Sequence, residues 1–389
     1  MPVLFPYQQY SGIWKLNAAS RAKGAGTWPV PPAPALYSWG DNGNGGLGLG
    51  NITSYSSPKQ VGSLTNWLSI AGGQANAIAV KTDGTLWSWG RNSNGELGLG
   101  NRTNYSSPKQ VGSLTNWSYA YTDSAASFSI KADGTLWSWG NAREGRLGLN
   151  NTTYYSSPKQ VGSLTNWAQV SAGFNFTVSV KTDGTIWSWG RNEQGQLGLN
   201  VSTGLSYSSP TQVGSLTNWK QVSCSRANGN RSALAVKTDG TLWSWGRNDF
   251  GQLGLGNTTG YSSPKQIGAL TNWSSVACQI FTTIAVKTDG TLWAWGRNNW
   301  GQLGLNNTTY YSSPKQIGAL TNWLSVACGV YFTLATKTDG TLWAWGRSTT
   351  GELGDGSVTN RSSPVQIGAL TNWSSVGAAE FSGFGIARI

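Results

Sequence analysis

The 389-residue sequence predicts an all-β fold made from one unit used seven times, and three observations carry that expectation. A Trp-Gly pair recurs at Trp39, Trp89, Trp139, Trp189, Trp245, Trp295 and Trp345, with spacings of 50, 50, 50, 56, 50 and 50 residues. A period near 50 is that of a propeller or solenoid. Each unit also holds four strand-length runs. Finally, the chain enters its first unit and leaves its last one part-way through.

The strands follow from one copy. NWLSIAG reads as the first, AIAVK as the second, TLWSWG as the third and PKQVG (108–112) as the fourth. The second and third are joined by TDGT, where Asp-Gly suits the positive φ angles of a two-residue type I′ turn. Four antiparallel strands per unit make a propeller blade. The three tryptophans of each copy, such as Trp67, Trp87 and Trp89, are expected to pack blade on blade.

The termini explain each other. LYSWG at 36–40 lacks the KTDG lead-in of the later copies, and a fourth strand follows it at 58–62. The last copy, NWSSVGAAEFSGFGIARI, stops at Ile389, which aligns with Asp339 just beyond a second strand. Two strands from each end therefore complete one blade and close a ring of seven.

Composition limits the chemistry. The chain has 53 Gly, 23 Trp and no His, with 11% charged residues. No run approaches the roughly 18 apolar residues of a membrane span, and no basic-then-apolar leader opens the chain. Three Cys cannot all pair, which fits a reducing cytoplasm. The net charge of +12 follows the repeat: a Lys before each Asp-Gly turn (Lys81 to Lys337), another after most SSP tripeptides, and an Arg after most Trp-Gly pairs. Such rings differ from the single basic patch of a nucleic-acid binder, so the charge reads as solubility and no nucleic-acid partner is expected.

The string WGxNxxGxLGxG, then SSPxQV, then KTDGTLWxWG, resembles the regulator of chromosome condensation repeat family of seven-bladed propellers over residues 36–389. Kelch repeats share the period but carry a diglycine that is missing here. The family's frequent His at the start of the second strand is replaced by Asn76, Ala126, Phe176, Ser232, Thr282, Phe332 and Ser382. The resemblance implies a protein that presents loop faces to other macromolecules. The wedge insertion behind guanine-nucleotide exchange in the family is not found. Residues 1–33, rich in Gly, Pro and Ala, are similar to short N-terminal segments of bacteriophage structural proteins. That resemblance implies an anchor through Tyr10, Ile13, Trp14 and Trp28, ahead of a propeller at 34–389.

No catalytic, metal or cofactor site is expected. GNGGLG (43–48) matches a dinucleotide fingerprint literally but leads into a strand, not a helix. Asp41 in DNGNGG aligns with Arg91, Arg191 and Arg247, which cannot ligate a cation. The six Asp of the TDGT and ADGT turns have local turn roles. Without His, Ser-His-Asp and Cys-His nucleophiles are excluded. Cys224, Cys278 and Cys328 share a position with Gly72, Thr122, Ala172 and Ala378, and read as buried small residues.

A binding face emerges from comparing copies. The Asp-Gly hairpin and the GSLTNW or GALTNW connection, at one end of each blade, hardly vary. The other two connections diverge and collect aromatics, which are enriched at binding hot spots. The candidate partner face is Tyr121, Asp123, Phe174, Asn175, Arg226, Asn228, Arg231, Phe250, Phe281, Trp300, Tyr331 and Phe381. The first reading is a non-enzymatic binding or architectural module of a virion, made in the host cytoplasm. It would contact a protein or cell-surface ligand through this face and other subunits through residues 1–33, without entering a membrane. The alternative is a soluble intracellular protein-binding or inhibitor propeller.

Overall fold

The computed structural model describes residues 33–388, apart from 124, 202–203, 227–228 and 230. Strands β1 (Pro34–Gly40) and β2 (Tyr55–Gln60) come first. The first whole blade is β3 (Trp67–Gly72), β4 (Asn76–Lys81), β5 (Leu86–Gly90) and β6 (Tyr105–Gln110), hydrogen-bonded in that order. The pattern repeats five more times to β26 (Arg361–Gln366), giving blades 1 to 6. Blade 7 has the order β2-β1-β28-β27, with β27 at Trp373–Ala378 and β28 at Ser382–Arg388. The antiparallel register of β1 on β28 runs from Pro34 opposite Arg388 to Gly40 opposite Ser382. The expected closure by strands from both termini is therefore present.

Two local expectations need correction. The fourth strand begins at YSSPKQ, three residues earlier than its apolar end suggested, and stops before the valine. Tyr105 and Lys109 pair with Gly90 and Ser88 across a shift in register. Proline lacks a ladder N–H and is tolerated there because this is the outer edge of the blade. The Asp-Gly hairpin is also not type I′. Gly84 N donates to Lys81 O and Lys81 N to Thr85 O, and of Asp83 and Gly84 only the glycine has positive φ (+76°). This is a three-residue loop, a type I turn closed by a left-handed glycine. Asp83 Oδ1 accepts from the Thr85 amide at 2.9 Å and hydroxyl at 2.6 Å, and Thr85 Oγ1 accepts from Trp87 Nε1 at 2.8 Å.

The tryptophans hold the ring together. The Trp-Gly tryptophan of every blade is fully buried and donates its Nε1–H to a backbone carbonyl of the preceding blade at 2.8–3.0 Å. Each such ring contributes roughly 4–6 kcal/mol of gross apolar burial. Gly48, Gly98 and their equivalents lie flat against these indoles, where a Cβ would come within about 3 Å of the ring. The other two tryptophans of a blade meet edge to face, as Trp67 does on Trp87 at 6.3 Å.

This packing revises the account of the charge. Lys81, Lys131, Lys181, Lys237, Lys287 and Lys337 are only 4–8% exposed. Each Nζ lies 3.7–3.9 Å from the centroid of one Trp and 4.7–5.0 Å from another. These six charges serve cation–π packing inside the blades rather than solubility. Burial lowers the ammonium pKa at Lys81, Lys181, Lys237, Lys287 and Lys337.

Candidate partner-binding face

The inner strands surround a channel of about 270 Å³ lined by residues such as Tyr119, Gln169, Gln221, Cys278 and Val326. Neighbouring inner strands belong to different sheets, so side chains bridge them. Gln169 Oε1 accepts from Val222 N at 2.9 Å, and Ser223 Oγ from Cys278 N at 3.1 Å. Cys278 and Cys328 are buried free thiols in this wall, Cys224 is buried in the core cluster behind it, and burial raises the pKa of each. Among the described residues no group of three His, Cys, Asp or Glu is placed to hold a metal.

The two ends of the propeller differ as their sequences do. At the repetitive end, Thr82 N donates to Asn66 O and Trp117 N to Gly84 O, tying each hairpin to the connections beside it. A leucine of each connection, from Leu64 to Leu370, is 42–49% exposed there. At the variable end, the residue after each Trp-Gly pair donates its amide to the residue just before the second strand. Examples are Arg91 to Ala75, Arg297 to Phe281 and Arg347 to Tyr331. These backbone bonds bring the two variable loops of a blade side by side.

Within that face the candidate residues take different positions. Asp123 is fully buried: its Oδ1 accepts from the amides of Ala125 and Ala126 at 2.8 Å, and its Oδ2 faces Arg146 Nη1 at 3.4 Å. It shapes its own loop, so its expected outward role is corrected. Tyr121, 7% exposed, and Arg226 turn to the channel axis instead of outward. Arg226 Nε donates to Tyr121 Oη at 2.8 Å, and Nη1 reaches the carbonyls of Ala378, at 3.2 Å, and Gly72. One side chain of blade 4 thus spans the channel mouth to blades 1, 2 and 7. Asn175 is buried at φ +64°, the turn residue between Phe174 and the next strand. Arg231 pairs with Glu193 at 2.9 Å. Asn228 and the anchor residues Tyr10, Ile13, Trp14 and Trp28 lie outside the described residues.

Phe250, Phe281, Trp300, Tyr331 and Phe381 converge across blades 4 to 7, whereas Phe174 of blade 3 lies outside this group. Phe281, Ile280 and Val330 form a small buried cluster, with Phe250, Tyr331 and Phe381 half-buried against it. Phe250 stacks on Phe281 with centroids 4.5 Å apart, and Trp300, 37% exposed, tilts over Tyr331 at 6.3 Å. Three arginines interleave with them. Arg247 lies over Phe281, Arg297 over Phe250, Phe281 and Tyr331, and Arg347 over Trp300, Tyr331 and Phe381, all at 5.2–5.8 Å. The arginines were legible as a repeat position, yet only the fold shows them threaded between aromatics from neighbouring blades.

Seven blades, a narrow axial channel and one diversified loop face define a ring-closed seven-bladed propeller. The RCC1-like domain model matches residues 120–385, and the regulator of chromosome condensation (RCC1) repeat model matches 35–80, 83–122 and 67–96. The chain belongs to this family.

Among curated relatives it is 45% identical over 69 residues to the protein RCC2 homolog of Danio rerio and 38% identical over 61 residues to the E3 ubiquitin-protein ligase HERC2 of Homo sapiens. Those matches cover 17% and 16% of this chain but only 14% and 1% of the relatives. Among solved structures, human WBSCR16 superposes with a TM-score of 0.81 at 21% identity, covering 92% of this chain and 99% of that one. Prp20p of Saccharomyces cerevisiae superposes at 0.79 and 22% identity, covering 92% of each chain. At these identities the two structures share the fold.

Proposed function

We propose that this chain is a non-enzymatic propeller that binds a partner protein through its variable loop face. The observation behind this reading is the asymmetry between its two ends. One end repeats the same turn and connection around the ring, while the other carries loops that differ in every blade and gather an arginine–aromatic row. The structure of Prp20p is described with its binding to Gsp1p and histones, and that of yeast RCC1 (Prp20) with Kap60 bound to it. Protein binding on this fold therefore has precedent. The relatives give no support to a virion attachment role, and we favour the soluble partner-binding reading over it.

The test compares affinity capture by three folded versions of the full chain: unchanged, Phe250→Asn with Trp300→Asn, and Leu64→Ser with Leu320→Ser on the opposite end. Partners lost only with the first pair support the reading. Partners lost only with the leucine pair would move the functional face to the repetitive end.

A further inference from the structure

The arginine row on the variable face differs from blade to blade in one chemical respect. In blade 3, Arg191 pairs with Glu193, two residues further on, and in blade 4 Arg247 pairs with Asp249 at 2.5 Å in the same way. In blade 1, Arg91 lies 3.4 Å from Glu96. Blades 5 and 6 put Asn299 and Thr349 where those blade 3 and 4 acids stand. Arg297 Nε donates to Asn299 Oδ1 at 2.6 Å, and Arg347 Nε has no hydrogen-bond partner. Among the described residues neither arginine forms an ion pair. At the position of Glu96, blade 5 has Gln302 and blade 6 has Glu352, whose carboxylate accepts from Thr349 Oγ1 at 3.1 Å and Thr350 N at 2.7 Å instead of pairing with Arg347.

The Cζ atoms of these same two arginines lie 5.2–5.8 Å from the centroids of the aromatic rings beside them. A guanidinium that has no carboxylate partner of its own suits two-pronged contact with an incoming carboxylate. Tyr331 lies beside both arginines, and the 37% exposed Trp300 packs against Tyr331 and Arg347. Beneath lies Phe281 at φ +56°, a left-handed conformation that a bulky side chain rarely adopts, held by the Arg297 amide at 2.7 Å. Backbone strain of this kind gathers at ligand clamps.

We infer that the row formed by Arg297, Arg347 and Trp300 docks a carboxylate-rich segment of the partner protein, with the two arginines supplying the charge contacts and Trp300 an apolar one. This rests on the variable-face reading above and adds the chemistry of the partner. A phosphate backbone could also meet a guanidinium edge. The internal partners of this arginine position are carboxylates, however, and the open row is two residues long rather than a continuous groove.

The experiment uses the full chain and a fluorescein-labelled deca-glutamate peptide, followed by anisotropy at low salt, with deca-lysine and a single-stranded oligothymidylate for comparison. The glutamate peptide should bind and deca-lysine should not. Arg297→Gln with Arg347→Gln should weaken binding at least tenfold, and so should Asn299→Asp with Thr349→Asp, which supplies the missing acids internally while keeping both arginines. Circular dichroism and melting temperature establish that each variant folds. The inference is overturned if deca-glutamate does not bind, if neither pair changes its affinity, or if oligothymidylate binds more tightly than the peptide. Should captured partners still depend on Phe250 and Trp300 in that event, the binding face stands and only the acidic chemistry falls.

Discussion

Trp39 Nε1 donates to the backbone carbonyl of Glu352 at 2.9 Å, across 313 residues of sequence. It is the same bond that Trp189 makes to Arg146 at 2.8 Å within the middle of the chain. The seam between blades 6 and 7 is therefore built like the others, although blade 7 is assembled from both ends of the chain. Trp39→Ala should cost about 3–5 kcal/mol, the range for losing a buried tryptophan, and Trp189→Ala about the same. Urea unfolding of the two variants measures this. A Trp39 variant nearly as stable as the parent would show that the closing blade contributes little to the ring.

Removing residues 36–62 should do more, because it leaves β28 with an unpaired edge and exposes two blade faces at once. Repeat arrays lose stability when an end unit is left open. Aggregation or a large fall in Tm is expected. A deletion that melts like the intact protein would argue against ring closure.

The repeat and its closure were legible because they are written locally: Trp-Gly, Asp-Gly and SSP recur at fixed offsets, and the missing lead-in at Leu36 matches the missing strands after Arg388. The turn type was not, since Asp-Gly serves both a type I′ turn and a type I turn with a left-handed glycine. Neither was the fate of Arg226 or Asp123. Both sit in variable loops and read as surface, but Arg226 finds its partners in other blades and Asp123 in the second variable loop of its own blade: Gly72 is 154 residues from Arg226, and Arg146 is 23 residues from Asp123. Only the ring brings Arg226 to Gly72, Tyr121 and Ala378. The aromatic residues of blades 4 to 7 could be read as one face, but their interleaving with arginines could not.

Asp123 and Arg146 provide a test that uses the chain's own alternatives. The pair is almost wholly buried, and Asp123→Ala alone would leave a guanidinium without its counter-charge, at about 3–5 kcal/mol. Blade 3 carries Gly173 and Gln196 at the corresponding positions. Asp123→Gly combined with Arg146→Gln should recover most of the loss, because both buried charges go together. A double variant no more stable than Asp123→Ala would show that the pair is not coupled in this way.

The channel thiols predict an alkaline dependence. Burial pushes the Cys278 thiol up to about 12 from the ordinary 9.0. A group raised on folding contributes its stability in full below the unfolded value and loses it as pH rises through the folded one. The contribution of Cys278 should therefore decline between pH about 9 and 12, by up to about 1.4 kcal/mol per unit. Cys278→Ala removes this limb. Denaturant unfolding from pH 8 to 11 should show the stability gap between parent and variant shrinking with pH. A constant gap would mean that the thiol titrates alike in both states.

The two exposed-loop aromatics should differ in cost, although they occupy one repeat position. Phe250 lies 4.5 Å from Phe281 and 5.9 Å from Tyr310, and it is half-buried. Trp300 touches Tyr331 more loosely at 6.3 Å and stays 37% exposed. Aromatic pairs add about 0.5–1.5 kcal/mol beyond their area, so Phe250→Asn should cost around 1 kcal/mol. Trp300→Asn should stay within about 0.5 kcal/mol, as surface changes do. Its effect should fall on binding instead, where losing a central aromatic can cost about 2 kcal/mol or more. Thermal unfolding and partner affinity measured on the same samples separate the two contributions. If Trp300→Asn destabilises the fold more than Phe250→Asn and leaves binding per folded molecule intact, Trp300 is a packing residue and the face must be sought elsewhere.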